Sequence, residues 1–266
     1  MHTAISRDGT KIAYDRTGDG PALILVSGAF GYRTFPGLVE LAGLLAGRFT
    51  VYNYDRRGRG DSGDTAPYSP EREIEDLQAV VDAAGGEAYV WGLSSGAVLA
   101  LKAATHGVPI KKLALYEPPF VTDASGKHPP ADFLEHLRTL IRDDERAEAV
   151  KYFMTKGMGA PWFVILIMRA MRGVWQRLAD LAHTLPYDAE LLDGHTAGEP
   201  LRAGEWAGLT APALVLDGAK SPAALRKAAK DLAAVLPGAK HRSLEGRKHT
   251  VSMAVLAPVL IDYFAG

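Results

Sequence analysis

Along this chain, short apolar runs alternate with stretches whose apolar residues recur at helical spacing. Two extended segments open it, residues 2–6 and 11–15. The Arg-Asp-Gly-Thr between them predicts a hairpin, because Asp-Gly turns join antiparallel strands tightly. Six further runs predict strands: ALILVS (22–27), TVYNYD (50–55), EAYVWG (87–92), KLALYE (112–117), PALVLD (212–217) and AKHRSL (239–244). The middle four are nearly continuous in apolar character, as expected of strands buried on both faces. Between the strands, residues 70–84 place Ile74, Leu77, Val80 and Val81 on one helical face, after a Ser-Pro start with acids in the first turn. Residues 95–106, 223–236 and 250–264 follow the same logic. Strands alternating with helices predict right-handed crossovers, and hence an α/β fold. The sheet should be mostly parallel and twisted, with helices on both faces and the opening hairpin antiparallel at one edge.

The alternation stops between Phe120 and Trp206. No strand pattern occurs there; helices are expected over residues 131–142, 145–155 and 161–184, with a short one near 188–192. This predicts a core made of residues 1–119 and 207–266 and a helical lid made of residues 120–206. The insertion leaves the core after a buried strand, so it should rise from the C-terminal ends of the strands, where open parallel sheets bind ligands.

Composition narrows the function. Of 266 residues, 47% are apolar and 23% charged, and the net charge is −1. A sizeable core is possible, whereas the basic stripe of a nucleic-acid binder is not evident. Nor does so even a balance give a reason to expect an anionic membrane as partner. The absence of cysteine removes disulfides, thiolate catalysis and thiolate-ligated zinc. No Walker A, HExxH or EF-hand pattern occurs, so neither a metal nor a cofactor is called for. The first residues are polar, and the longest apolar run, WFVILIM (162–168), is too short to span a bilayer. A cytoplasmic protein acting on a small molecule is the expectation. The surrounding stretch PWFVILIMRAM (161–171) is read as either the wall of an acyl pocket or the insertion's own core.

One pentapeptide carries chemistry. Gly92-Leu93-Ser94-Ser95-Gly96 fits G-x-S-x-G with Ser94 central. The motif alone is common, but here a buried strand precedes it and a helix follows. In that context the glycines permit a sharp strand-to-helix turn that presents the serine. The helix N-terminus then offers free N–H groups, that of Ser95 among them, to developing negative charge. A serine hydroxyl needs a general base. Of the eight histidines, His249 is best placed, in the loop between the last strand and the last helix. His241 lies within a strand, and His106 closes a helix. His128, His136, His183 and His195 fall in the insertion.

With these residues the chain resembles an α/β-hydrolase over nearly its whole length. The order Ser94…His249 is that family's order. YDRRGRGDSG (54–63) resembles the family's turn before the nucleophile strand, and LVSGAFG (25–31) resembles its oxyanion loop. The resemblance implies an oxyanion hole made by the N–H groups of Ala29 and Ser95, with Ser27 where a histidine is usual. GRGDSG also satisfies G-x-G-x-x-G, but no helix opens there and two prolines follow, so a dinucleotide site is rejected. In most of the family, the third catalytic group is an aspartate at the position held here by Ser221. Two carboxylates stand in for it: Asp217 at the end of its strand, and Glu117 at the end of the strand after the nucleophile helix. Glu117 is preferred, since a subset of the family, including some haloalkane dehalogenases, has a glutamate there.

The resulting expectation is a serine hydrolase, with Ser94, His249 and Glu117 cleaving an ester or similar acyl bond of a small, largely apolar substrate. A C–C hydrolase or cofactorless cyclase or lyase on the same scaffold is one alternative. A ligand-binding protein without turnover, suggested by Ser221, is another.

Overall fold

A computed structural model describes residues 1–124 and 128–266. Its centre is an eight-stranded sheet of β1 (His2–Ile5), β2 (Lys11–Thr17), β3 (Ala22–Val26), β4 (Thr50–Tyr54), β5 (Ala88–Leu93), β6 (Ile110–Tyr116), β7 (Ala213–Gly218) and β8 (Lys240–Leu244). The spatial order is β1-β2-β4-β3-β5-β6-β7-β8. The β1–β2 and β2–β4 pairings are antiparallel, and all the others are parallel.

Side-chain alternation sorts the core into two layers. Ile24, Val26, Val90, Leu113 and Val215 point to one face, covered by α2 (Pro70–Ala83), α3 (Ser95–Thr105) and α9 (Ala223–Val235). Leu23, Leu25, Trp91, Ala114 and Leu216 point to the other, covered by α1 (Pro36–Leu45) and α10 (Met253–Ala265). Helix α1 is not among the helices expected from the sequence. Its signal is present nonetheless: Leu38, Leu41, Ala42 and Leu45 are buried at helical spacing, and proline suits the first helical position because its missing N–H would have had no partner there.

The chain leaves β3 for β4 on one side, then crosses over to β5 on the other. This reversal opens a crevice at the C-terminal ends of β3 and β5. The segments that follow these strands, residues 27–31 and 94–96, meet there. Glycine allows the meeting. A Cβ on Gly96 would lie 2.4 Å from the carbonyl oxygens of both Val26 and Ser27, and one on Gly92 would lie 2.6 Å from the Ala97 Cα. Helix α3 can therefore cross the end of β3 only at full backbone contact.

Among the described residues between β6 and β7, the α-helices are α4 (Phe133–Arg142), α5 (Arg146–Tyr152), α6 (Trp162–Ala170), α7 (Arg172–Asp180) and α8 (Leu185–Leu191). The single helix expected over residues 161–184 is broken at Met171, whose ψ of 71° is not helical. The break turns Ile165 and Met168 of α6 and Trp175 and Leu178 of α7 into one cluster with Leu137, Val150, Phe153 and Leu185. Ala29 and Phe30 of the core pack against the same cluster. The 161–171 stretch joins the insertion's own core only in part, through Ile165 and Met168. Only Ile165 is fully buried, while Trp162, Phe163, Leu166 and Ile167 are exposed.

The Gly96 contact is testable by thermal unfolding. Gly96→Ala forces a methyl into backbone oxygens and should destabilise the fold by about 1–3 kcal/mol. That corresponds to a melting temperature lowered by roughly 4–8 °C at the middle of the range. An unchanged melting temperature would contradict the close approach.

Candidate active site

Ser94 follows β5 directly, with φ 55° and ψ −124°, outside the conformations a non-glycine residue normally adopts. Four non-glycine residues among those described have positive φ: Phe30, Ser94, Glu117 and Asp144. Ser94 and Glu117 directly follow β5 and β6, and Phe30 lies in the loop after β3. Such conformations cost on the order of 1–3 kcal/mol each and persist where surrounding structure enforces them. At Ser94 the enforcement is a hydrogen bond from its N–H to Tyr116 O (2.9 Å), with Ala97 N–H donating to Ser94 O (2.9 Å). The side chain is half-buried and faces the 27–31 loop. A Cβ on Gly28 would come within 3.0 Å of Ser94 Cβ and 3.6 Å of its Oγ.

Among the described residues, the N–H groups of Ala29 and Ser95 have no acceptor. For Ser95 this follows from its place as the first residue of α3, where no preceding helical carbonyl exists.

Glu117 lies one residue beyond β6 and is fully buried. Its Oε1 accepts the Gly218 N–H (2.7 Å), and its Oε2 is 2.6 Å from His249 Nδ1. The proton between ring and carboxylate belongs on Nδ1, which leaves the Nε2 lone pair free. The histidine loop is tied down from below. Tyr116 donates its hydroxyl to Lys248 O (2.8 Å), and Lys220 N–H donates to Arg247 O (2.7 Å). The loop passes so closely that a Cβ on Gly218 would meet Arg247 O at 2.5 Å. Helix α10 starts at Met253 rather than at residue 250 as the pattern suggested, so residues 249–252 stay non-helical.

The structure thus brings His249 and Glu117 together, and the 27–31 loop against Ser94. It records no hydrogen bond between Ser94 Oγ and His249. Asp217 is engaged elsewhere: it faces β8, 2.5 Å from His241 Nε2 and accepting from Ser243 Oγ at 2.8 Å. Ser221 is buried, its hydroxyl without a partner among the described residues.

Beneath the crevice lies a set of buried charges that pattern reading did not reveal. Arg56, Arg57 and Arg59, from the 54–63 turn, are all buried. Arg56 grips Glu73 through two hydrogen bonds of 2.6 Å and reaches Asp188 at 2.8 Å. Arg59 reaches the other oxygen of Asp188 at 2.7 Å and donates to Gly28 O at 2.7 Å. Ser95 donates its hydroxyl to Asp188 Oδ1 (2.7 Å). Asp188 belongs to α8, so one carboxylate joins the helical insertion, the start of α3 and, through Arg59, the 27–31 loop. Tyr68 adds a second link, donating to Glu73 at 2.9 Å and stacking on Tyr187 with ring centroids 3.8 Å apart. The three arginines in YDRRGRGDSG were the available sequence signal, since a buried arginine requires acidic partners. Nothing in the sequence pointed to Asp188 as the partner, 132 positions from Arg56.

Residues 23–259 match the family model of the alpha/beta hydrolase family, and the chain belongs to that family. It is 46% identical to an alpha/beta hydrolase from Sphaerobacter thermophilus whose structure is solved; the match covers 99% of this chain and 100% of that one, with a TM-score of 0.91. The fold also matches the enol-lactonase from Burkholderia xenovorans (21% identity, 100% of each chain, TM-score 0.69). An esterase from Exiguobacterium antarcticum is a further match (19% identity, 99% of each chain, TM-score 0.73). Identities this low establish the shared fold alone.

Burial pushes the Asp188 carboxyl up, but Arg59 and Arg56, followed by the Ser95 hydroxyl, outweigh it and hold the group below its ordinary range. An acid depressed in the folded state stabilises the fold fully above its unfolded value of about 3.9. That contribution is lost as pH falls through the lower folded value. Asp188→Asn leaves two buried guanidinium groups short of a charge partner and should cost about 3–5 kcal/mol at neutral pH. The deficit should narrow as the medium is acidified below about pH 4. Urea unfolding across pH measures both; a constant deficit down to the most acidic point would refute the assignment.

Proposed function

We propose that this protein is a serine hydrolase that cleaves a carboxylic ester or similar acyl bond of a small, largely apolar substrate. The observation that carries the proposal is the Glu117–His249 pair, set at the rim of the crevice into which the strained Ser94 turn projects. In this reading Ser94 Oγ attacks the substrate carbonyl carbon while His249 Nε2 takes the hydroxyl proton. Glu117 holds the Nδ1–H and stabilises the imidazolium that forms. The N–H groups of Ala29 and Ser95 receive the oxyanion, and the positive end of α3 adds to them.

As the tetrahedral intermediate collapses, the bond to the leaving oxygen breaks and His249 returns the proton to it. Water then attacks the acyl-Ser94 ester, again giving its proton to His249. Ser94 regains a hydrogen as the acid departs. The contact between His249 and Ser94 closes when substrate is in place, because catalytic hydrogen bonds commonly tighten only in the complex. Residues 120–206 act as a lid over this site, and the Ala29 and Phe30 contacts with the insertion's cluster support that role.

The ligand-binding alternative drew its motive from Ser221. The buried Glu117 carboxylate beside His249 supports the hydrolase over it, since it supplies an acid where Ser221 cannot.

Hydrolysis of short p-nitrophenyl esters tests the reading. Wild-type protein should turn over an acetate or butyrate ester and be labelled by a fluorophosphonate probe, and Ser94→Ala should abolish both. Glu117→Gln should leave the fold intact and lower kcat by about 10³–10⁴ with little change in KM, as loss of the acid does in serine triads. An unlabelled, inactive wild-type protein would exclude an activated serine. Full activity in Glu117→Gln would remove Glu117 from the mechanism.

A further inference from the structure

The outer face of α6 and α7 has no role in the site. Twelve large apolar side chains are conspicuously exposed among the described residues. Seven of them fall within 17 consecutive positions: Met158, Trp162, Phe163, Leu166, Ile167, Met171 and Val174, exposed by 37–71%. Such clustering is unusual, because isolated surface apolar residues are ordinary but contiguous ones mark interaction surfaces.

Charge decides what fits it. From Ala149 to Ala179 the chain contains Lys151, Lys156, Arg169, Arg172 and Arg177 and not one acid, although the whole protein is nearly neutral. Glu148, just outside the stretch, pairs with Lys151 at 2.7 Å and lies 3.9 Å from Arg169. Lys156, Arg172 and Arg177 have no acidic partner among the described residues, and all three are exposed. On α6, Arg169 is seven positions after Trp162, which sets it about 20° around the helix from that ring. The cations therefore border the apolar face. A second copy of the chain docked face to face would set this acid-free, cationic rim against another like it, since a twofold interface pairs a patch with itself. An anionic lipid surface meets both needs: acyl chains for the apolar residues and headgroups for the cations.

We propose that the α6–α7 face docks the protein on anionic lipid surfaces, with Trp162, Phe163, Leu166 and Ile167 entering the acyl boundary and Lys156, Arg172 and Arg177 meeting the headgroups. The attachment is peripheral, because no helix among the described residues is long and apolar enough to cross a membrane. The inward side of α6, Ile165 and Met168, belongs to the cluster that contacts Ala29 and Phe30, so the docked helix stands one layer from the crevice. The inference concerns the surface only and does not depend on the proposed catalysis.

Co-sedimentation with vesicles tests it, using the full chain against phosphatidylcholine alone and phosphatidylcholine with one-fifth phosphatidylglycerol. Trp162 reports insertion, since Trp91 and Trp206 are buried and Trp175 is half-buried. Binding should occur on the anionic vesicles, with a blue shift in emission, and should weaken as salt is raised. Lys156→Glu with Arg172→Glu should reduce partitioning by well over tenfold, as each cation near the surface is worth roughly fivefold. A Trp162→Ser, Leu166→Gln, Ile167→Ser variant should lose binding while keeping the wild-type melting temperature. No binding to either vesicle, or equal binding to both, would overturn the proposal. So would sedimentation velocity showing a dimer that the triple variant dissolves, for then a second copy covers the face.

Discussion

A single buried carboxylate, Asp188, organises this molecule. It has no access to water and lies between two guanidinium groups that are equally buried, those of Arg56 and Arg59. Removing any of the three leaves an uncompensated charge inside the protein, which is among the costliest defects a fold can carry. The cluster is therefore all-or-none, and that property reaches each part of the crevice. Arg59 fixes the carbonyl of Gly28, Ser95 anchors the first turn of α3, and Asp188 seats the insertion. The N–H groups of Ala29 and Ser95 are held by the same ions that hold the insertion in place.

Strain is the counterpart of that rigidity. Phe30, Ser94 and Glu117 take backbone conformations that short peptides avoid, and each follows a strand in the parallel part of the sheet. Parallel strands with their ends in register deliver three consecutive turns to one edge, where each can be held by its neighbour. Ser94 donates its N–H to Tyr116 O, and Glu117 donates its N–H to Leu216 O. The unfavourable dihedrals of Ser94 and Glu117 are thus set by hydrogen bonds between adjacent strand ends, while Phe30 packs against the insertion's cluster.

Average properties of the chain concealed its most uneven surface. A net charge of −1 and ordinary apolar content describe a protein without a marked partner preference. The stretch around α6 is cationic and apolar at once, and its acids are elsewhere. Local sign and exposure, not composition, govern association, because electrostatic attraction at physiological salt reaches only about 8 Å.

Much of this could be read in advance. The apolar runs implied a parallel sheet, because continuous burial on both faces leaves few other arrangements. The Gly-x-Ser-x-Gly turn followed from its position between a buried strand and a helix. Helix α1 was legible too, through the helical spacing of Leu38, Leu41, Ala42 and Leu45. The break at Met171 was not legible, since it depends on how Ile165 and Trp175 share one cluster. Which carboxylate faces His249 was not fixed by the residues themselves; the preference for Glu117 came from the family resemblance. Glu117 and Asp217 are both strand-end acids, and only the lateral order of strands sends one towards the histidine loop and the other to His241. The same holds for Asp188: local sequence determines turns, periodicity and burial within an element, whereas a buried ion pair between distant residues exists only once the whole chain has packed.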